Sequence, residues 1–157
     1  MTLLSRKTDY ALLILYYLHT NPDGGCARTI AETYGLSRAF VANILKELCQ
    51  KSFVASHRGV KGGYALLRSA DDISLDELLE SLEDGFQLAN CNNHAHAEGG
   101  EDECSVLHIC PIRGPIGELH RRILDTLRAL TIGELFQSSA PRTTTFQPML
   151  LPLAASR

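Results

Sequence analysis

The sequence predicts a mainly α-helical protein with a small β-wing, in which a winged helix-turn-helix domain precedes a long dimerisation helix. Three observations support this fold class. Apolar residues recur at helical spacing in several segments, and a turn with glycine and serine separates two of those segments. A long apolar seam also lies toward the C-terminus. At 157 residues, the chain is long enough for one domain with an extension.

The first predicted helix covers residues 5–20. One apolar face repeats along it at steps of three and four: Tyr10, Leu13, Ile14, Tyr17 and Leu18. Turn residues at 21–25 end this helix. A short helix follows at 27–34, and Gly35 stands just past its end, where glycine is favoured. Ser37 is placed to cap the next helix, at 38–51. The last two helices and their turn have the helix-turn-helix pattern.

A β-hairpin is predicted directly after these helices. Residues 53–56 and 64–67 have strand-like composition, and the segment between them is basic and rich in glycine. That segment includes Arg58 and Lys61. An ordinary solvated hairpin would also fit, but the preceding helix-turn-helix favours a wing.

The C-terminal half contains two capping boxes and one long helix. Ser74 and Glu77 form the first predicted box, and Thr131 and Glu134 form the second. Between them, apolar residues recur at steps of four and three: Ile112, Ile116, Leu119, Ile123, Leu127 and Leu130. So narrow a seam usually packs against another long helix, and a second copy of this chain is the simplest partner.

The charge is distributed unevenly. Residues 1–69 contain nine Lys and Arg against four Asp and Glu, a net charge of +5, whereas residues 70–157 contain six against fourteen, a net charge of −8. This division indicates that only the first part meets a polyanion such as double-stranded DNA. We expect four regions: a DNA-binding winged helix-turn-helix domain (1–69), a linking helix and cysteine loop (70–111), a dimerisation helix with a short terminal helix (112–136), and a poorly ordered tail (137–157).

The predicted DNA contacts lie at the start of the third helix, on the wing and on nearby basic positions. Arg38 has the geometry to pair bidentately with guanine, and Arg58 and Lys61 would contact phosphate or the minor groove. The complete predicted set is Arg6, Lys7, Arg28, Ser37, Arg38, Ala39, Asn43, Arg58 and Lys61.

Three cysteines in one polar stretch predict a metal centre. Cys91, Cys104 and Cys110 have the spacing C-x12-C-x5-C among Asn, His, Glu, Asp and Gly residues, which offer no apolar core. Thiolates select iron–sulphur clusters, zinc or copper(I). A disulfide is the alternative, but three cysteines do not pair evenly. Cys26 and Cys49 lie on helical segments and are predicted to be small buried hydrophobes.

No export or membrane signal is visible in the sequence. Charged residues precede the apolar stretch 11–18, which lacks a cleavage site after it and is too short to span a bilayer. We therefore expect a cytoplasmic protein with reduced thiols. The sequence has no nucleotide motif and no nucleophile–base pair, so we expect neither an enzyme nor a small-molecule substrate.

These features, in this order, resemble the Rrf-two (Rrf2) superfamily of bacterial transcription regulators, which includes the IscR, NsrR and RirA groups. The match covers residues 1 to about 136. Its most specific parts are Arg-Gly-x-x-Gly-Gly-Tyr at 58–64 and Cys-x5-Cys at 104–110. Further matching segments are Leu4-Ser5, Thr8-Asp9-Tyr10-Ala11-Leu12, Ile30-Ala31, Gly35-Leu36-Ser37-Arg38 and Leu130-Thr131-Ile132-Gly133-Glu134-Leu135.

The resemblance implies a homodimer with crossed long helices and a cluster held by Cys91, Cys104 and Cys110. IscR-like members have a histidine three residues after the last cysteine, but Arg113 stands there in this chain. NsrR-like members recruit an aspartate from the first helix of the other subunit, and Asp9 of the partner subunit would fill that place. The resemblance favours a 4Fe–4S cluster and leaves 2Fe–2S open, while His94, His96 and His108 are substitute ligands.

The function expected from these features is a DNA-binding transcriptional repressor. Its operator affinity would be controlled by an iron–sulphur cluster that senses nitric oxide, redox state or iron supply. A zinc-stabilised winged-helix repressor with a Cys3His site is the main alternative. A redox or electron-transfer protein, or an interaction module that does not bind DNA, would fit the helical pattern less well.

Overall fold

The helices and the hairpin follow the predicted order, which confirms the predicted fold class. The computed structural model describes residues 4–57, 62–83, 88–89, 106 and 108–137, and these form a mainly helical structure with one two-stranded antiparallel sheet. The elements are α1 (Arg6–Thr20), α2 (Ala27–Tyr34), α3 (Arg38–Gln50), β1 (Val54–His57), β2 (Gly63–Leu66), α4 (Leu75–Leu82), α5 (Arg113–Ala129) and α6 (Ile132–Gln137), with a 3₁₀ turn (Ala70–Asp72) before α4. Most of the predicted tail, 138–157, lies outside the described residues.

Side-chain caps fix where several helices begin. The hydroxyl of Ser5 accepts a hydrogen bond from the backbone N–H of Thr8, which starts α1. The sulphur of Cys26 does the same for Thr29 at the start of α2. Gly35 then ends α2 with φ of +64°, a left-handed conformation that costs glycine little. The helix-turn-helix thus begins and ends at defined residues.

The hairpin is held against the turn that precedes α2. β1 pairs with β2 in the register Val54↔Leu66 to His57↔Gly63. The backbones of Gly25 and Tyr64 exchange two hydrogen bonds, of 2.9 and 2.8 Å. A Cβ on Gly63 would lie 2.9 Å from the carbonyl oxygen of Gly25, so glycine is needed for this close approach. The base of the predicted wing is therefore fixed to the helical domain, while its tip, 58–61, lies outside the described residues.

One apolar core joins the N-terminal helices to the C-terminal ones. Phe136 of α6 packs edge-on against Tyr16 of α1, with ring centroids 5.3 Å apart, and also contacts His19. The largest fully buried apolar side chains come from both halves of the chain: Phe53, Ile14, Leu15, Ile30, Leu45, Leu48, Ile73, Leu78, Ile132 and Val41. The predicted dimerisation segment thus contributes to the core of the predicted DNA-binding domain.

Polar contacts fasten α4 to its neighbours. The buried carboxylate of Asp76 accepts a 2.9 Å hydrogen bond from the guanidinium of Arg128 on α5. Ser74 caps α4 by accepting from the backbone N–H of Glu77 at 3.1 Å. The side chain of Glu77, which the predicted capping box directed back to Ser74, pairs with Arg68 instead. The second predicted box forms both bonds, each of 3.1 Å, between Thr131 and Glu134.

The apolar seam of α5 is only partly covered within one chain. Leu127 is buried against the core, and Ile116 and Ile123 are half-buried. Ile112 and Leu119, however, are 61% and 47% exposed. The uncovered part of the seam is what a second copy would bury, and the homodimer stays a prediction. No helix among the described residues is long and apolar enough to cross a membrane.

Candidate nucleic-acid interface and metal centre

The first turn of α3 projects from the domain. Ser37, Arg38, Ala39 and Phe40 are all exposed, and the core begins only at Val41. This turn contains three of the predicted DNA contacts, and the fourth contact on α3, Asn43, is exposed one turn later. An exposed helix end of this kind has the shape needed to enter a major groove.

Ser37 occupies the N-cap position of α3 but does not form the side-chain cap that the sequence predicts. Ser5 and Ser74 do form such bonds at α1 and α4. The hydroxyl of Ser37 therefore has no partner within its own helix, and the first N–H groups of α3 face solvent. Free N–H groups at the positive end of a helix dipole suit a phosphate oxygen.

The predicted basic contacts differ in how far their charges are neutralised. Lys7 of α1 pairs with Glu47 of α3 at 3.0 Å, and Arg28 pairs with Glu32 at 2.8 Å. Arg6 and Arg38 are exposed and form no ion pair with another described residue. Among the predicted contacts that the structure describes, these two side chains keep a charge that no ion pair neutralises, whereas Lys7 also fastens α1 to α3, the recognition helix of the predicted helix-turn-helix. Arg58 and Lys61 lie outside the described residues.

An aromatic pair lies beside these contacts and was not part of the predicted interface. Phe40 of α3 is 36% exposed. Its ring meets that of Tyr10 of α1 edge-on, with centroids 5.2 Å apart. The signal available in the sequence was an aromatic side chain in the first turn of a recognition helix whose buried face starts one residue later.

The structure describes only part of the predicted metal centre. Cys91 and Cys104, with His94 and His96, lie outside the described residues. Cys110 is a free, half-exposed thiol three residues before α5, and His108 is exposed. Within the part of one chain that the structure describes, no three His, Cys, Asp or Glu side chains are placed to hold a metal ion. A thiol and a carboxylate are nevertheless both accessible, at Cys110 and at Asp9.

Asp9 is exposed in the first turn of α1, and its carboxylate pairs with no other described residue. Asp9 does not cap α1, because the hydroxyl of Ser5 does so by accepting from the backbone N–H of Thr8. Interaction with the helix dipole alone therefore remains as a structural role within the chain. The carboxylate is free to bind an external group.

The remaining cysteines have different surroundings. Cys49 packs half-buried against the core, and burial raises the pKa of its thiol, in line with a structural role. Cys26 is not the buried hydrophobe that the sequence predicted, because it is half-exposed at the start of α2. The backbone N–H of Thr29 lowers the pKa of the Cys26 thiol. Cysteine is uncommon as a helix cap, which is why sequence reasoning missed this role.

Glu83 connects the end of α4 to the start of α1. Its carboxylate accepts a 3.0 Å hydrogen bond from the backbone N–H of Ser5 and another from the buried hydroxyl of Thr8. Burial alone would raise the pKa of Glu83, but the bonds from Thr8 and Ser5, with nearby Lys7, hold that pKa below its usual value. Because the cysteine-containing stretch follows α4 in the sequence, this contact fixes the end of α4 that precedes that stretch to the start of α1.

Replacing Glu83 with glutamine is expected to lower stability at neutral pH and to leave it nearly unchanged in acid. The folded pKa of Glu83 lies below the ordinary value of 4.5, so its carboxylate stabilises the fold above that pH. The contribution is lost as pH falls through the lower folded value. Urea unfolding of both proteins from pH 7 to about pH 3 measures the difference. A gap between them that does not shrink with acid would contradict this assignment.

Comparison with known proteins identifies relatives over most of the chain. The family model described as "Rrf2: Iron-dependent Transcriptional regulator" matches residues 4–138. Protein aau3 of Rhizobium meliloti (strain 1021) is 29% identical over 136 residues, which cover 86% of this chain and 85% of that protein.

Two solved structures share the fold. CymR (YrzC), described as the global cysteine regulator of B. subtilis, is similar with a TM-score of 0.66 and 23% identity, over 88% of this chain and 99% of that one. T. potens IscR is similar with a TM-score of 0.61 and 22% identity, over 86% of each chain. At these identities the likeness bears on the fold alone.

Proposed function

Because the chain belongs to the Rrf2 family of transcription regulators, we propose that it is a homodimeric DNA-binding repressor controlled by an iron–sulphur cluster. The DNA-binding part of the proposal rests on one observation. The four residues from Ser37 to Phe40 at the start of α3 are exposed, with a serine hydroxyl that makes no cap bond and an arginine that forms no ion pair with another described residue. No enzymatic role is needed to explain this surface.

Homodimer formation follows from the uncovered seam of α5. Ile112 and Leu119 expose large apolar surfaces that a second copy would remove from water. Two copies related by a twofold axis would present two recognition helices to half-sites about 34–36 Å apart. Small rotations of one copy against the other would then change the fit to an operator.

The proposed metal ligands are Cys91, Cys104, Cys110 and Asp9 of the partner subunit. Three soft thiolates and one harder carboxylate suit an iron–sulphur cluster with one labile iron. When bound, a 4Fe–4S cluster, or alternatively a 2Fe–2S cluster, supplies an iron centre that nitric oxide, oxygen or iron shortage can alter. The description of the family as iron-dependent supports iron as the bound metal. The similarity to CymR, which is described as a cysteine regulator, gives no further support for iron.

Loss of the ligand at Asp9 would act close to the DNA interface. Asp9 directly follows Thr8 and lies one turn from Ser5, both of which Glu83 holds, and it is two residues from Lys7, which pairs with Glu47 of α3. A change in the constraint on α1 therefore reaches the recognition helix through a direct ion pair. This provides a physical route from the metal centre to operator affinity.

Anaerobic purification followed by absorbance, iron and sulphide analysis tests the cofactor. A brown protein with stoichiometric iron and sulphide supports the cluster, whereas a colourless protein with bound zinc supports the zinc-stabilised repressor instead. Selection of operators from random DNA, with and without the metal, tests the regulatory part. A protein with no sequence preference in either state would contradict it.

Replacing Arg38 with alanine is expected to weaken operator binding by roughly 1–3 kcal/mol and to relax the preference at one base pair. Lys61→Ala is the matched control, because a phosphate contact should weaken all sequences alike and flatten the dependence on salt. Titrations of operator and scrambled DNA at several salt concentrations measure both effects. Unchanged selectivity in Arg38→Ala would show that the first turn of α3 does not read bases.

A further inference from the structure

Phe40 is an aromatic side chain in an exposed position with a fixed orientation. It is 36% exposed, although the next residue, Val41, is fully buried. Its edge-to-face contact with Tyr10 joins two helices, so the ring is held from one side only. The other side faces solvent at the projecting end of α3. An apolar surface held rigidly in such a place suits contact with another apolar group.

The position of Phe40 on α3 indicates which group that is. Arg38 and Asn43 are exposed on the same helix end, and Asn43 stands three residues from Phe40, on an adjacent part of the helix surface. A separation of three positions corresponds to about 4.5 Å along the helix, which is comparable with the rise of about 3.4 Å between base pairs. A helix end that inserts these side chains into a major groove brings the Phe40 ring to the base edges.

Among the groups that base pairs present in the major groove, only the C5-methyl of thymine is apolar. Resting on the proposed DNA binding, we propose that Phe40 is a specificity-determining residue that contacts a thymine methyl in each half-site. Asn43 is suited to pair with adenine, and Arg38 with guanine. The operator half-site therefore contains a thymine beside the base pair read by Asn43.

Substitution of deoxyuridine for thymine removes only the methyl group and tests this contact directly. The full-length protein is first used to select its operator from random DNA. Each thymine of the operator is then replaced in turn, in both half-sites, and binding is measured for the unaltered chain, Phe40→Ala and Phe40→Leu. For each protein, the dissociation constant for the deoxyuridine-substituted operator is divided by that for the unmodified operator. This methyl ratio cancels any general loss of affinity in a variant.

For the unaltered chain, we expect one thymine position at which the replacement weakens binding about fourfold per half-site, and about fifteenfold for both. The same ratio should fall to about one in Phe40→Ala and to an intermediate value in Phe40→Leu. Arg38→Ala, as a matched control, should keep the methyl ratio of the unaltered chain. If Phe40→Ala does not fold, the reduced ratio in Phe40→Leu still tests the contact.

Two results would overturn the inference. The first is an operator at which no thymine methyl matters to the unaltered chain. The second is a methyl ratio that is the same in the Phe40 variants as in the unaltered chain. A chain that selects no operator at all would overturn the proposed DNA binding together with this inference, so the two failures are distinguishable.

Discussion

Replacing Cys91, Cys104 or Cys110 with alanine is expected to abolish the iron–sulphur chromophore. The segment has three cysteines, and the proposed cluster needs all three thiolates as ligands. Each variant should purify anaerobically without brown colour, iron or sulphide. Cys49→Ala is the matched control: its thiol packs half-buried against the core, so the variant should lose some stability but keep the cluster. Full cluster content in Cys110→Ala would contradict the ligand set.

Asp9→Ala should give a different result, with a cluster that forms but is lost faster. A hybrid dimer decides whether ligation crosses between subunits. One subunit carries only Asp9→Ala and the other only the three cysteine replacements, so the single cluster site combines cysteines of the first with Asp9 of the second. Stability like that of the unaltered dimer supports ligation across the dimer, whereas stability like that of the Asp9→Ala homodimer excludes it.

Replacing Leu119 with glutamate is expected to convert the dimer into monomers. Leu119 is 47% exposed in the single chain, so the change costs little within one subunit. In a dimer, it would remove two buried leucines and place two charges at the seam. Because about half of each Leu119 side chain is already covered in the single chain, the loss of apolar burial at the two copies amounts to roughly 1.5–3 kcal/mol, or an increase of about 10- to 100-fold in the dissociation constant, before the two charges are counted. Sedimentation over a range of concentrations measures it.

The control for Leu119→Glu is Gly114→Glu, which adds the same charge to α5 at an exposed position about 140° around the helix from Leu119, where an added Cβ meets no atom within 4 Å. This variant should remain dimeric. Ile116 and Ile123 are less suitable targets, because both are half-buried within the single chain and a charge there would also unfold it. A dimer of undiminished affinity in Leu119→Glu would show that this seam is not the interface.

Local patterns predicted the elements well because each depends on nearby residues. Helix α2 has the predicted bounds, and α1 and α3 differ from theirs by one residue at one end. The strands are displaced by one residue, since the pairing of Gly25 with Tyr64, which fixes the hairpin, joins distant parts of the sequence. Such pairings have no periodic signal.

The predicted site was harder to judge, because its details depend on competition between partners. Ser37 occupies a cap position without forming the cap, and Glu77 leaves its capping box to pair with Arg68. The contact of Glu83 with Ser5 joins residues 78 positions apart, which no local pattern encodes. Residue types and spacing predicted a polar, exposed start of α3, but not that the charges of Lys7 and Arg28 are already paired with acidic side chains.

The contact of α6 with α1 bears on the order in which the protein matures during synthesis. Phe136 packs on Tyr16 and His19, and Ile132 is fully buried in the same core. A nascent chain that has left the ribosome only as far as the wing lacks both side chains, so its helix-turn-helix stays incompletely packed. The helix-turn-helix therefore becomes fully packed only after α6, and with it the whole of α5, has been made. Under the proposed function, tight operator binding would then wait until the segment proposed to pair with a second copy has also been made.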